Sequence, residues 1–264
     1  MPDFGLLLFT SDPRIARRAV AGGAAGIVVD WEHLGKAARQ LDHDTQINHD
    51  TPADLRRIRA CTAAPVICRI NGDHPGRGDE VEEAVEGGAD ELLLPMVRAP
   101  GEVERVLDQV AGRCRVGILV ETVDAVERAA ELARLPLSRV YVGLNDLHIQ
   151  RGTPSIFTAV ADGTVERVLR PFRVPFGFGG LTLPDRGTPI PSRLLMGEMV
   201  RLGCGFSFLR RSFHADVPDP ATGIPRIHEG LAALRRRDPP AVARDHDGLV
   251  RAVRALAAPA VRLA

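Results

Sequence analysis

The chain has 264 residues, 45% of them hydrophobic, which is enough for one large domain with its own core. Its 34 basic residues balance 34 acidic ones, and no basic run is long enough to make a nucleic-acid or membrane patch. No apolar segment approaches the ~18 residues of a membrane span, and the opening MPDFGLLLFT lacks the charged and long apolar regions of a signal peptide, so a cytoplasmic protein is expected.

The chain reads as a regular alternation of short apolar runs and helix-like stretches. A first strand over residues 4–9 leads into a helix opened by Ser11-Asp12-Pro13 and closed by Gly22-Gly23. A second strand covers 26–29. A polar excursion over 34–50 follows, long enough for a lid or a substrate wall, and the next clear helix starts at Thr51-Pro52. The third strand is 65–68 and the fourth 91–94, ended by Pro95; between them GDEVEEAVEGGAD reads as a helix with a glycine C-cap. The fifth strand, 115–120, runs into ETVDAVERAAELA, read as one helix. Strands six, seven and eight are expected at 140–143, 174–178 and 205–209. After Asp238-Pro239-Pro240 comes an amphipathic helix with Leu249, Val253 and Leu256 on one stripe.

Eight such strands with intervening helices indicate an α/β fold, a (β/α)8 TIM barrel with an additional C-terminal helix. The expected division is a barrel over 1–238 and a C-terminal helix over 239–264, docked on the barrel or on a neighbouring subunit. An open doubly wound sheet is the alternative, weakened because no Gly-x-Gly-x-x-Gly turn follows the first strand.

Four polar clusters stand just past the ends of four apolar runs: Asp30-Trp31-Glu32-His33, Arg69-Ile70-Asn71, Glu121-Thr122 and Asn145-Asp146. In a parallel barrel these positions converge on the face that carries the chemistry. Glu121 and Asp146 follow adjacent strands, where two carboxylates can share a Mg²⁺- or Mn²⁺-like ion, although each alone also reads as a helix-capping acid. Arg69 ends an apolar strand and needs an anionic partner, either a substrate oxygen or a structural ion pair with Asp30 or Glu32. His33, two residues beyond the strand and beside Glu32, belongs to the one residue type that ordinarily titrates near neutrality.

Other polar groups carry weaker signals. Asp42, His43, Asp44 and His49 have no diagnostic metal spacing; His148 lies near Asp146; Arg210 and Arg211 follow strand eight, where barrels often bind phosphate or carboxylate. The run Gly177-Phe178-Gly179-Gly180 permits close backbone approach, but no matched helix start follows it. Cys61, Cys68, Cys114 and Cys204 are scattered and read as reduced thiols. Lys36 is the only lysine and lies in a polar segment, so a carbon–carbon bond enzyme of this sequence would work through a metal rather than an imine.

At these residues the sequence resembles the HpcH/HpaI aldolase and citrate-lyase β-subunit-like group. The resemblance rests on Asp30-x-Glu32-His33, Arg69, LLLPMV at 92–97, LVET at 119–122 and GLNDL at 143–147, in order across about residues 5–210. It implies a class II, metal-dependent aldolase or lyase on a (β/α)8 barrel. It further implies Glu121 and Asp146 as metal ligands for Mg²⁺ or Mn²⁺, with Co²⁺ admissible, Arg69 as the oxo-acid anchor, His33 in proton transfer and Glu86 as its acidic support. A homo-oligomer acting on a small-molecule 2-oxo acid and an aldehyde is implied as well. Two departures alter the surroundings of the electrophile: Leu119 stands where the aldolase branch usually has Gln, and QVAGRCRVG turns directly into strand five without that branch's long loop. Three rivals remain at this stage: an acyl-CoA lyase of the citrate-lyase or malyl-CoA type, another enolate enzyme such as a phosphoenolpyruvate mutase or a biosynthetic ligase, and a non-catalytic binding barrel.

Overall fold

The computed structural model describes residues 4–35 and 50–257. Eight strands run in parallel: β1 (Gly5–Phe9), β2 (Gly26–Asp30), β3 (Val66–Arg69), β4 (Glu91–Leu94), β5 (Arg115–Val120), β6 (Val140–Val142), β7 (Phe176–Phe178) and β8 (Phe206–Leu209). Their order around the sheet is β7-β6-β5-β4-β3-β2-β1-β8. The seam between β7 and β8 is spanned by Gly205 N–H donating to Phe176 O at 2.9 Å and Leu181 N–H donating to Phe208 O at 3.1 Å. The sheet is thus a nearly closed (β/α)8 barrel, as the alternating runs imply.

Strand alternation sorts the side chains into two apolar layers. Leu7, Phe9, Val28, Ile67, Leu93, Leu119, Tyr141, Phe206 and Phe208 fill the interior, while their neighbours such as Leu6, Leu8, Ile27 and Val29 face the helices. The interior is largely aromatic on the β8 side. Tyr141 stacks on Phe208 at 3.9 Å between centroids, and Phe9 meets Phe208 edge-on at 5.1 Å. Below this layer, the buried Glu91 takes a two-pronged pair from Arg139 at 2.6 and 2.7 Å.

The helices on the outside begin where their caps dictate. In α1 (Pro13–Ala21) the cap is Asp12, whose carboxylate accepts from Arg14 N–H at 2.7 Å. In α2 (Pro52–Cys61) Thr51 and Asp54 form a reciprocal capping box. Next come α3 (Arg77–Glu86) and α4 (Pro100–Val110). The stretch after β5, expected as one helix, is two: α5 (Val123–Glu127) and α6 (Ala129–Leu132), divided at Arg128 by its φ of −98° and ψ of 14°. Between β6 and β7 lie α7 (Leu144–Arg151), α8 (Thr158–Ala161) and α9 (Thr164–Leu169); α10 (Ser192–Arg201) precedes β8, and α11 (Arg211–Asp216) and α12 (Pro220–Arg235) follow it.

The C-terminal helix α13 (Pro239–Ala257) packs on α10 and α8 of its own chain. Leu249 and Val253 are buried there, and the Asp245 carboxylate is bridged by Arg193 and Arg237. Leu256, expected on the same buried stripe, is exposed in the last turn, where nothing among the described residues covers it. All four cysteines are free thiols, Cys68 and Cys204 buried and the other two half-buried. Among the described residues no helix is long and apolar enough to cross a membrane.

Candidate active site

Because every second residue of a strand points inward, the last inward positions of β2, β3 and β5 put Asp30, Arg69 and Glu121 at the C-terminal mouth. Asp30 and Arg69 are direct partners across the β2–β3 pairing. Arg69 holds Asp30 with both prongs, Nε to Oδ1 at 2.7 Å and Nη2 to Oδ2 at 2.6 Å, and its Nη1 lies 3.0 Å from Glu32 Oε2. All three groups are buried. Burial works against the charge of Arg69, but Asp30 and Glu32 more than offset it and hold the guanidinium firmly charged. The ion pair, left open by the sequence, is therefore formed, and it fixes the plane of Arg69 while three of its five N–H directions are occupied.

Glu121 lies at the centre of the anionic side. Its Oε1 accepts from Met96 N–H at 2.9 Å, and Met96 reaches that position with a left-handed φ of 54°. Its carboxylate rests on the backbone of Gly143, just beyond β6. Burial, then the charge of Asp146, then that of Glu32 push the Glu121 carboxyl up to about 8. Asp146 sits in the first turn of α7 and is buried. Thr122 fixes the corner, donating to Val97 O at 2.6 Å and accepting from Ala125 N–H at 3.0 Å as the cap of α5.

Among the described residues no group of three or more His, Cys, Asp or Glu side chains surrounds one point. Glu121 and Asp146 are nevertheless two buried oxygen donors close enough for the charge of one to raise the carboxyl of the other, and such a pair fits a hard divalent ion. Such an ion commonly uses one or two carboxylates and fills its remaining positions with water or substrate oxygens. Glu121 and Asp146 are the residues that would hold it.

His33 is exposed at the rim. Its Nδ1 lies 2.8 Å from Trp31 O, a carbonyl that can only accept, which places a proton on Nδ1. The backbone N–H groups of His33 and Leu34 both donate to Asn71 Oδ1 at 2.9 Å. Asn71 is held in turn by Glu80, through its Nδ2 at 2.7 Å, and Glu80 also accepts from His74 Nε2 at 3.0 Å. Glu86 does not join this group: it lies in the last turn of α3, exposed, at the end of the helix away from the mouth. The acid that the fold brings to the rim from α3 is Glu80, in its first turn, and the chain to His33 runs through Asn71.

The remaining candidates fall as follows. Leu119 is part of the apolar interior beneath Glu121. His148 pairs with Thr153 Oγ1 at 3.0 Å on α7. The carbonyl of Gly179 accepts from Tyr141 Oη and, at 2.8 Å, from Ser207 Oγ, so the glycine run serves the barrel seam. Arg210 lies over the Phe9 ring at 4.5 Å, beside Asp30. Lys36, Asp42, His43, Asp44 and His49, with most of the polar excursion, lie outside the described residues.

A parallel barrel with an arginine, a histidine and paired carboxylates at the C-terminal mouth has the arrangement of a barrel aldolase or lyase. The sequence model of the HpcH/HpaI aldolase/citrate lyase family matches residues 3–162, more than half of the chain, and the chain belongs to that family. The matched stretch contains Arg69, Glu121 and Asp146 and stops before β7. The chain is also 28% identical over 200 residues to the indole-3-glycerol phosphate synthase of Aromatoleum aromaticum, covering 76% of this chain and 69% of that protein. Among solved structures, the HpcH/HpaI aldolase of Desulfitobacterium hafniense superposes with a TM-score of 0.59 at 15% identity, over 90% of this chain and 95% of that one. The citrate synthase SbnG does so with a TM-score of 0.57 at 17% identity, over 79% and 86%. These superpositions speak to the fold.

Proposed function

We propose that this aldolase/lyase-family chain is a divalent-metal-dependent carbon–carbon lyase or aldolase acting on a pyruvate-type 2-oxo acid and an aldehyde. Glu121 carries the reading: a fully buried carboxyl pushed up to about 8 by burial and by Asp146 and Glu32 gains most from a bound cation. Members of this family generally use a divalent metal. Glu121 and Asp146 would hold Mg²⁺ or Mn²⁺, which when bound would supply Lewis-acid stabilisation of the charge that develops on the keto oxygen during enolisation.

The chain's own residues account for the rest of the chemistry. Arg69, locked by Asp30 and Glu32, is a preorganised positive charge that needs no reorientation as the enolate forms. Met96 N–H keeps Glu121 in place from the β4 side. With its proton on Nδ1, His33 offers Nε2 to the aldol hydroxyl. In cleavage it takes the hydroxyl proton as the carbon–carbon bond breaks, releasing an aldehyde and leaving the enolate of the 2-oxo acid. Condensation reverses each step on the same groups. Asn71 and Glu80 set the position of His33 through the backbone of its loop.

Titration calorimetry with Mn²⁺ tests the metal half. The expected result is one ion per chain, with affinity at least about a hundredfold lower in Glu121→Ala and Asp146→Ala while the far-ultraviolet circular dichroism is retained. Equal affinity in either variant would remove the metal assignment.

A further inference from the structure

The opposite, N-terminal end of the barrel carries a cleft of about 470 Å³ between the starts of β1 and β2 and the last two turns of α12. The chemistry above does not reach it. At about 3.3 Å per residue, β1 separates Gly5 in this cleft from Phe9 at the mouth by about 13 Å.

One wall is a single face of α12. His228, Leu231, Ala232 and Arg235 follow at three- and four-residue spacing, so they lie on one side of the helix and span about 10 Å along its axis. Phe4 lines the cleft from the start of β1, and Gly23, with a left-handed φ of 94°, brings bare backbone to it. The middle of the cleft is therefore apolar and its two ends are not. At one end His228 Nε2 donates to Gly23 O at 3.3 Å. At the other, Arg235 makes no hydrogen bond or ion pair among the described residues, and its guanidinium stands over the Phe4 ring at 6.0 Å. Of the run Arg235-Arg236-Arg237, only Arg237 meets a carboxylate, that of Asp245. Among the described residues no acidic side chain lines the cleft.

An apolar trough with an unneutralised cation at one end is complementary to an amphiphile with one negative charge. We infer that this cleft binds a medium-chain carboxylate, with its carboxylate on Arg235 and its chain along Leu231 and Ala232 toward His228. The planar fork of arginine matches the two carboxylate oxygens. At about 1.5 Å per carbon–carbon bond, foreshortened by the zigzag, the wall accommodates roughly eight carbons. The volume lies within the range of small-molecule sites. The inference is independent of the reaction proposed for the mouth.

Titration calorimetry of the full chain with octanoate, hexanoate and 1-octanol tests it without substrate or metal. One octanoate per chain is expected. Hexanoate, two buried methylenes shorter, binds about tenfold more weakly, and 1-octanol, lacking the charge, also binds more weakly than octanoate. Octanoate affinity falls about ten- to a hundredfold in Arg235→Gln and recovers in part in Arg235→Lys. Ala232→Leu fills the trough while leaving Arg235 in place, and it abolishes binding. Neither residue is buried, so an unchanged Tm in these variants separates loss of the site from loss of the fold. Glu121→Ala, at the other end of the barrel, binds octanoate as the wild type does. Equal affinity in wild type and Arg235→Gln, 1-octanol binding as tightly as octanoate, loss of binding in Glu121→Ala, or no saturable binding of octanoate overturns the inference.

Discussion

A Cβ on Gly143 would lie 2.2 Å from Glu121 Oε2 and 2.7 Å from Glu121 Cβ, so this carboxylate occupies space that only glycine leaves open. Gly143→Ala must displace Glu121, and Mn²⁺ affinity should fall at least about tenfold by calorimetry with the fold retained; an unchanged affinity would contradict the proposed ligand. Glu121 also sets a pH dependence. Its carboxyl is pushed from an ordinary 4.5 up to about 8, so the folded chain binds this proton more tightly than the unfolded one. The stability so gained is fully present below about pH 4.5 and is lost as pH rises through about 8. In metal-free protein the Tm should therefore decline across that window and Glu121→Gln should flatten the decline, as calorimetric scans will read. Over the same window Mn²⁺ affinity should climb by up to about tenfold per pH unit, because one proton must leave. A flat profile would place the proton elsewhere. Counting past the apolar runs was enough to place Glu121, Asp146 and Arg69 at the mouth of the barrel, since strand ends fix where such residues emerge. It failed for the acid on α3: the helix over GDEVEEAVEGGAD was legible, but the resemblance pointed to Glu86 in its last turn, and nothing in the sequence shows that the first turn, with Glu80, is the one that meets the rim. The partner of Arg69 was legible only as a choice between a substrate oxygen and Asp30 or Glu32, because the β2–β3 register decides it.

At the scale of elements, the strands were legible as Val-, Ile- and Leu-rich runs because both of their faces are covered, one by helices and one by the aromatic interior. Within ETVDAVERAAELA no glycine or proline announces the break at Arg128, so local propensity gave no sign of it. The C-terminal helix offered a clear stripe but no statement of what it covers. Its docking on α10 is made by Leu249 and Val253 and by the Asp245 and His246 contacts, the latter at 2.9 Å to Glu198. Leu249→Ala should cost about 2–5 kcal/mol in urea unfolding, and a cost below about 0.5 kcal/mol would mean that α13 is not part of the folded unit.

Taken whole, the molecule separates its tasks along the barrel axis. The Glu91–Arg139 pair and the aromatic layer close the interior, and the charged groups gather at the C-terminal mouth, where Arg69 is neutralised by Asp30 and Glu32 while burial and the charge of Asp146 weigh on the Glu121 carboxylate. That imbalance is costly to the metal-free protein and useful to an enzyme that must stabilise a developing negative charge. Solvent-deuterium exchange into the methyl group of pyruvate, followed by proton NMR, tests this account most directly because enolisation needs no knowledge of the acceptor. Exchange is predicted with Mg²⁺ or Mn²⁺, and none with EDTA or in metal-supplied Glu121→Ala. Metal-loaded protein that leaves the methyl group unlabelled, or labelling that survives EDTA, would contradict it.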